Sequence, residues 1–314
     1  MRLNFFIIIF ALLSFLNAPA QLDNDTLIQR FANDMKKLVE LNSHTPYGIN
    51  FSLKEAVDIQ TNATTEQIIE ITTPYLNSNV LNAKNISFRL LADVLLKKEK
   101  DQSRREQIIE IICRNYLDNR EDIQMVDNVL LMQKEKDFNN NAKKYISSLK
   151  DSLSRSRLPN DVCAKLLGIA QIKESIPFLW KIANRNITTI ERYDVDILAS
   201  LARLNEKEAG SILCDYYTSK IDRNDKYYRY IVISKNMAFA IDSSILMLLI
   251  KELKILGPNA GFREYDTGFN ASQYLGFSIA SMLKNYPYSK DDYNLKPQLL
   301  DWSNQTANYE LAEK

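Results

Sequence analysis

The hexapeptide EQIIEI occurs twice in this chain, at residues 66–71 and again at 106–111, forty residues apart. A second related pair, DVLLKKEKD from Asp93 and DNVLLMQKEKD from Asp127, recurs at an offset of 34 to 36 residues. Repetition at this distance, inside helically patterned sequence, implies a duplicated pair of helices that stacks on its neighbours. Such a unit cannot bury its apolar face alone, so the fold it permits is a series of such pairs.

Glycine and proline fit the same reading. Only 7 Gly and 8 Pro occur in 314 residues, far below their usual combined share of about 12%. A sandwich, barrel or doubly wound sheet needs many tight turns that these residues supply, so their shortage favours helices joined by short polar links.

The second half shows the pairs more clearly. Residues 161–172, DVCAKLLGIAQI, read as a helix. After a Lys173-Glu174-Ser175 turn, Ile176, Leu179, Trp180 and Ala183 fall at i, i+3, i+4 and i+7, one apolar stripe on one face. A helix from Val195 bears Leu198, Leu201 and Ala202, and its partner repeats the stripe as Ala209, Ile212, Leu213 and Tyr216. A third pair carries Ala238 and Ala240, then Leu246, Leu249, Ile250 and Leu253.

Residues 161–179, DVCAKLLGIAQIKESIPFL, resemble a HEAT-type repeat. Asp161 and Val162 match its start, Leu167-Gly168 its close-packing point and Ile176-Pro177-x-Leu179 its second helix. Cys163 departs from the pattern, standing where an arginine is often found. Independently of any family, Gly168 allows two helices to approach, and Pro177 suits a first helical turn whose N–H groups need no partner. The resemblance implies a surface for proteins, occasionally for other ligands, and seldom catalysis.

Residues 1–20 stand apart. Arg2 precedes a 12-residue apolar run, 5–16, and Ala18-Pro19-Ala20 suits signal-peptidase cleavage before Gln21. The run is short of the about 20 residues that span hydrocarbon, so export is expected, with no integral membrane segment after cleavage. That ending, with abundant Asn, Lys and Ile, resembles exported proteins of the Bacteroidetes. Cys113, Cys163 and Cys214 lie on apolar helical stripes and read as core residues, one disulfide being the alternative. The Asn-X-Ser/Thr sequences of the chain are glycan acceptors only in a eukaryotic secretory context.

The chemical inventory excludes more than it offers. With 40 basic and 39 acidic residues the net charge is +1, and electrostatic capture of nucleic acid is not expected. The mixed run KKEKDQSRRE from Lys97 reads as an exposed link between helices. His44 is the only histidine, which removes His-based zinc clusters and hydrolytic triads unless it serves alone. No CxxC, phosphate loop or dinucleotide fingerprint occurs, and no cofactor, metal ligand or catalytic residue is assigned. Carboxylate chemistry remains open, since glycoside hydrolysis needs two acids flanking a cleft. The candidate pairs are Asp194 with Asp196, and Glu264 with Asp266, although each also reads as a solvated turn or helix start. Tyr216, Tyr217, Tyr227, Tyr228 and Tyr230, and then Phe262, Tyr265, Phe269 and Tyr274, form two aromatic concentrations that suit a protein or glycan interface. Trp180 reads as core.

The sequence therefore predicts an all-α protein, an alpha-alpha superhelix of HEAT/ARM-like solenoid type with about five to six helix pairs and a C-terminal capping element. The expected organisation is a signal peptide at 1–20, an N-terminal cap or link at 21–48, helical repeats at 49–254, and a loop, capping helix and flexible tail at 255–314. The expected role is a non-catalytic scaffold in the periplasm or outside the cell that binds a protein partner, or less directly a glycan. The alternative is a carboxylate-dependent glycoside hydrolase or polysaccharide lyase in an alpha/alpha toroid.

Overall fold

The computed structural model describes residues 24–40, 58–59, 61–116, 124–152, 160–219, 233–256, 271–289, 295–305 and 309–314. Regular structure among them is helical, apart from one isolated antiparallel bridge between Leu283 and Leu311. The chain divides into two units, residues 1–104 and 105–314.

In the first unit, α1 (Asn24–Glu40) buries Leu27, Phe31, Met35 and Leu38 along one face. α2 (Thr65–Thr72) starts at a reciprocal cap. The Thr64 hydroxyl accepts from the Gln67 N–H at 3.2 Å, and the Gln67 side chain accepts from the Thr64 N–H at 2.8 Å, which satisfies two donors that a helix start leaves open. The helix continues into a 3-10 turn, Thr73–Tyr75, with Pro74 in its first turn. α3 (Leu81–Lys97) buries Phe88, Leu91 and Leu95. Beyond it Glu99 is buried rather than solvated, accepting from the Thr65 hydroxyl at 2.5 Å and the Asp101 N–H at 2.8 Å. Burial raises its carboxyl pKa, but these donors outweigh that and hold it below the ordinary range. The charged link is thus a tie between the start of α2 and the end of α3.

The second unit begins within the first turn of α4 (Gln102–Tyr116). It continues with α5 (Gln124–Leu131), α6 (Asn140–Ser147), α7 (Leu149–Ser152), α8 (Asn160–Ile169), α9 (Ile176–Ile182), α10 (Arg192–Arg203), α11 (Lys207–Ser219), α12 (Ser234–Ala238), α13 (Ser243–Ile255), α14 (Ala271–Met282) and α15 (Leu295–Gln305). The two EQIIEI strings fall on α2 and α4. The DVLLKKEKD and DNVLLMQKEKD strings each span a helix end and the polar residues after it, the second alone carrying a 3-10 turn at Glu135–Asp137.

α10 packs against α8, α11 and α12, and α11 in turn packs on α13. The expected stripes are buried on α10 at Leu198, Leu201 and Ala202, on α13 at Leu246, Leu249, Ile250 and Leu253, and on α11 at Ala209, Leu213 and Tyr216, with Ile212 half-buried. Of the α9 stripe only Leu179 is buried, Ile176, Trp180 and Ala183 being half-buried. Pro177 stands in the first turn of α9. Cys113 and Cys163 are buried, Cys214 is half-buried, and all three are free thiols.

The sequence differs from the structure near residue 300. Residues 285–314 lack a helical period, yet α15 forms, with Leu299 fully buried and Pro297 in its first turn. One buried leucine makes too narrow a stripe to register as periodicity. Residues 309–314, expected as part of a flexible tail, lie docked on the second unit. The Lys284 N–H donates to Glu310 O at 2.8 Å and the Ala312 N–H to Met282 O at 2.8 Å. Tyr309 stacks edge-on to Trp302 at 5.5 Å, and its hydroxyl donates to Ser303 O at 3.1 Å.

Candidate functional site

Three turns of the second unit share one geometry. After α8, α10 and α12 the chain passes through a residue of positive φ: Gln171 at 54°, Asn205 at 74° and Ile241 at 47°. Their spacings are 34 and 36 residues. At the first, the Gln171 N–H donates to Gly168 O at 3.2 Å and the Ile172 N–H to Leu167 O at 3.0 Å. At the second, Asn205 N–H donates to Ala202 O and Glu206 N–H to Leu201 O, both at 3.0 Å. These are paired Schellman bonds that close a helix on its own carbonyls. No glycine occupies any of the three left-handed positions, and a β-branched residue such as Ile241 is held there only by its surroundings.

The helix ends are then tied to one another. The Gln171 side-chain amide donates to Arg203 O at 3.1 Å, and Arg203 Nη1 donates to Phe239 O at 2.8 Å. Each bond places a donor on the open carbonyls of a neighbouring helix C-terminus, where partial negative charge collects. The Arg203 guanidinium also lies over the Phe239 ring, 4.7 Å from its centroid. Arg203 is only 5% exposed, and its Nε has no hydrogen-bond partner among the described residues. Burial pushes its pKa down to about 10, with Glu135 pulling the other way.

The C-terminal ends of α8, α10 and α12, through Ile169, Arg203, Ala238 and Phe239, line a groove of about 600 Å³, with Ile241 the one left-handed residue in its wall. The ends of α5 and α14 complete it, and Met132, 69% exposed, offers a flexible apolar contact beside it. Its cationic lining comprises Lys134, Arg203, Lys235 and Lys284, and its single lining acid is Glu313. A smaller cavity of about 450 Å³ in the first unit is bordered by Asp93, Lys97, Lys98 and Lys100, but Lys97 is paired with Asp93 at 3.0 Å and the Lys98 ammonium donates to Ala63 O.

Of the acids named from sequence, Asp194 and Asp196 do not form a pair. Asp194 is half-buried and accepts from the Glu191 N–H at 2.9 Å, closing the start of α10. Asp196, two residues on and so on another face, is 2% exposed and meets Lys165 Nζ at 2.7 Å. Burial raises its carboxyl pKa despite that ammonium. Glu264, Asp266 and His44 lie outside the described residues, as do Tyr227, Tyr228, Tyr230, Phe262, Tyr265 and Phe269. Tyr216 and Tyr217 are core residues, and Tyr274 is half-buried against Phe277.

Trp180 differs from its core assignment. It is half-buried, donates through Nε1 to Glu206 at 3.0 Å and carries the Arg185 guanidinium 4.3 Å above its ring. Among the described residues no His, Cys, Asp and Glu cluster could hold a metal ion, and no helix is long and apolar enough to cross a membrane. The groove and Arg203 were not visible in the sequence, because an arginine closing an apolar helix looks like any solvated helix end. Comparison with known proteins finds no family model that the chain matches, and no similar curated protein or solved structure.

Proposed function

We propose that the chain is an exported, HEAT-like helical-repeat scaffold that binds a protein partner in the cell envelope or outside the cell, without catalysis of its own. The observation that carries this reading is the recurrence of left-handed turns at residues 171, 205 and 241, with their helix ends tied in series. Other contacts keep a similar spacing: Thr65 to Glu99 spans 34 residues, and Arg105 to Asp137 spans 32. Both spacings suit a two-helix repeat. The groove at those turns, apolar in part and edged by lysines, supplies the binding surface.

The test is crosslinking of the full chain in its native compartment, beside a variant carrying Lys134→Glu, Lys235→Glu and Lys284→Glu. One specific protein crosslinked to the wild-type chain and lost from the variant supports the reading. A chain that captures nothing in either form defeats it. Cleavage before Gln21 is checked by N-terminal sequencing of exported protein.

The hydrolase reading has one observation in its favour, the raised carboxyl of Asp196. It predicts glycan turnover that Asp196→Asn abolishes.

A further inference from the structure

We infer that the groove of the second unit is a site for an extended, acidic segment of a partner protein, and that residues 309–314 occupy part of it as a displaceable stand-in. The inference rests on the partner-binding reading and names the chemistry of the partner.

Segment 309–314 shows how the groove engages an extended chain. It pairs by backbone hydrogen bonds at Lys284 and Met282, as an added strand does. Glu310 lies 3.9 Å from the Lys284 ammonium, and Glu313 lies 3.5 Å from Lys134 and 4.0 Å from Lys136. All of these side chains are more than half exposed, so their ion pairs are screened and weak. These exposed ion pairs are contacts that an acidic competitor can match, while Tyr309 on Trp302 and the Lys314 ammonium on Asn205 and Ala202 O anchor the two ends of the segment.

The segment also leaves one donor of Arg203 unused, the guanidinium being otherwise engaged with Phe239 O through Nη1. Ala312 and Arg203 line the same groove, and the Arg203 Nε has no acceptor among the described residues. Alanine cannot reach it, whereas a carboxylate side chain at that register offers a charge-assisted bond. Because Glu313 is the one acid of the lining and belongs to the segment itself, its departure leaves Lys134, Arg203, Lys235 and Lys284 facing the space. A buried guanidinium ringed by lysines then favours an acidic occupant over the partial negative charge of the helix ends.

The experiment uses fluorescein-labelled hexapeptides of sequence 309–314, one with Ala312→Glu and one with Glu310→Lys and Glu313→Lys, read by fluorescence anisotropy. They are titrated into the wild-type full chain, into a chain with Glu310→Lys and Glu313→Lys, and into one with Lys134→Glu and Lys284→Glu. Circular dichroism checks that each is folded. The expected result is that the Ala312→Glu peptide binds the tail-reversed chain about tenfold tighter than wild type, that the charge-reversed peptide does not bind, and that the lysine variant binds neither. Equal affinity for both peptides, or no effect of the lysine changes, overturns the inference. So does a dimer formed by exchange of 309–314, seen by analytical ultracentrifugation. A native partner that crosslinks to another face overturns it while leaving the scaffold reading intact. Failure of both peptide binding and native crosslinking ends both.

Discussion

Gly168 on α8 and Ser200 on α10 meet with no room for a side chain: a Cβ at residue 168 would lie 3.3 Å from Ser200 Cα and 3.4 Å from its carbonyl oxygen. The obstacle is backbone, which cannot rotate away. Gly168→Val is therefore expected to cost about 2 kcal/mol by overpacking, despite the gain in helix propensity over glycine. Gly168→Ala should cost less, since a helix-propensity gain of about 1 kcal/mol offsets the clash. Urea unfolding of both variants checks the order, and a fully stable Gly168→Val chain would mean that α8 and α10 can separate.

The left-handed turn at Asn205 separates backbone strain from packing. The residue is exposed with φ 74°, and its side chain accepts from Lys314 Nζ at 2.6 Å. Both Asn205→Gly and Asn205→Ile lose that bond, so the difference between them reports conformation alone. Asn205→Ile is expected to be less stable than Asn205→Gly by about 1–2 kcal/mol. Equal unfolding midpoints would show that the turn relaxes.

Asp196 and Lys165 form a buried pair whose loss should depend on pH. Lys165→Met leaves the Asp196 carboxylate buried without its ammonium, a change expected to cost about 3 kcal/mol at neutral pH. The folded-state pKa of Asp196 is raised, so the native chain binds more protons there than the unfolded chain does. Its contribution to stability is full below the ordinary carboxylate pKa and declines as pH rises through the raised value. The deficit of Lys165→Met should therefore shrink on acidification, and Lys165→Met with Asp196→Leu should recover most of the loss. Denaturation midpoints at about pH 4, near the ordinary carboxylate pKa, and at neutral pH test the sign.

Thiol reactivity tests the core assignment of the cysteines. Cys113 and Cys163 are fully buried, and burial with Asp242 and Asp215 pushes the Cys214 thiol up to about 11. A thiol reagent at mildly alkaline pH should modify Cys214 slowly and the other two only on unfolding. Release of one thiol rather than three in denaturant would mean that two are joined in a disulfide.

What could be read from the sequence was whatever repeats or alternates. The stripes of α10, α11 and α13 are buried as their spacing implies, and Gly168 and Pro177 do the work expected of their residue types. What could not be read depends on partners remote in the chain. Trp180 fits an apolar stripe by spacing, but Glu206 and Arg185 draw it to the surface. Asp194 and Asp196 look alike in sequence, and only the helix turn between them decides that one closes a helix end and the other meets Lys165. Gln171, Asn205 and Ile241 share a backbone conformation without sharing a residue type, so no composition rule for glycine would have found them.

The ties from Gln171 to Arg203 and from Arg203 to Phe239 restrict where this chain can change in length. Adding one residue at 170–172 would carry the Gln171 amide about 3.5 Å along the chain, past the carbonyl it must reach, and one at 204–206 would break the paired bonds from Asn205 and Glu206 that close α10. The link at residues 183–190 carries no such bond to another helix C-terminus; apart from the exposed pairing of Arg185 with Glu208 at 3.2 Å, its polar contacts are internal, among Asn184, Asn186, Thr188 and Thr189. Insertions and deletions in related chains should gather at that link and avoid residues 170–172 and 204–206, so gaps in an alignment would trace the groove from sequence alone.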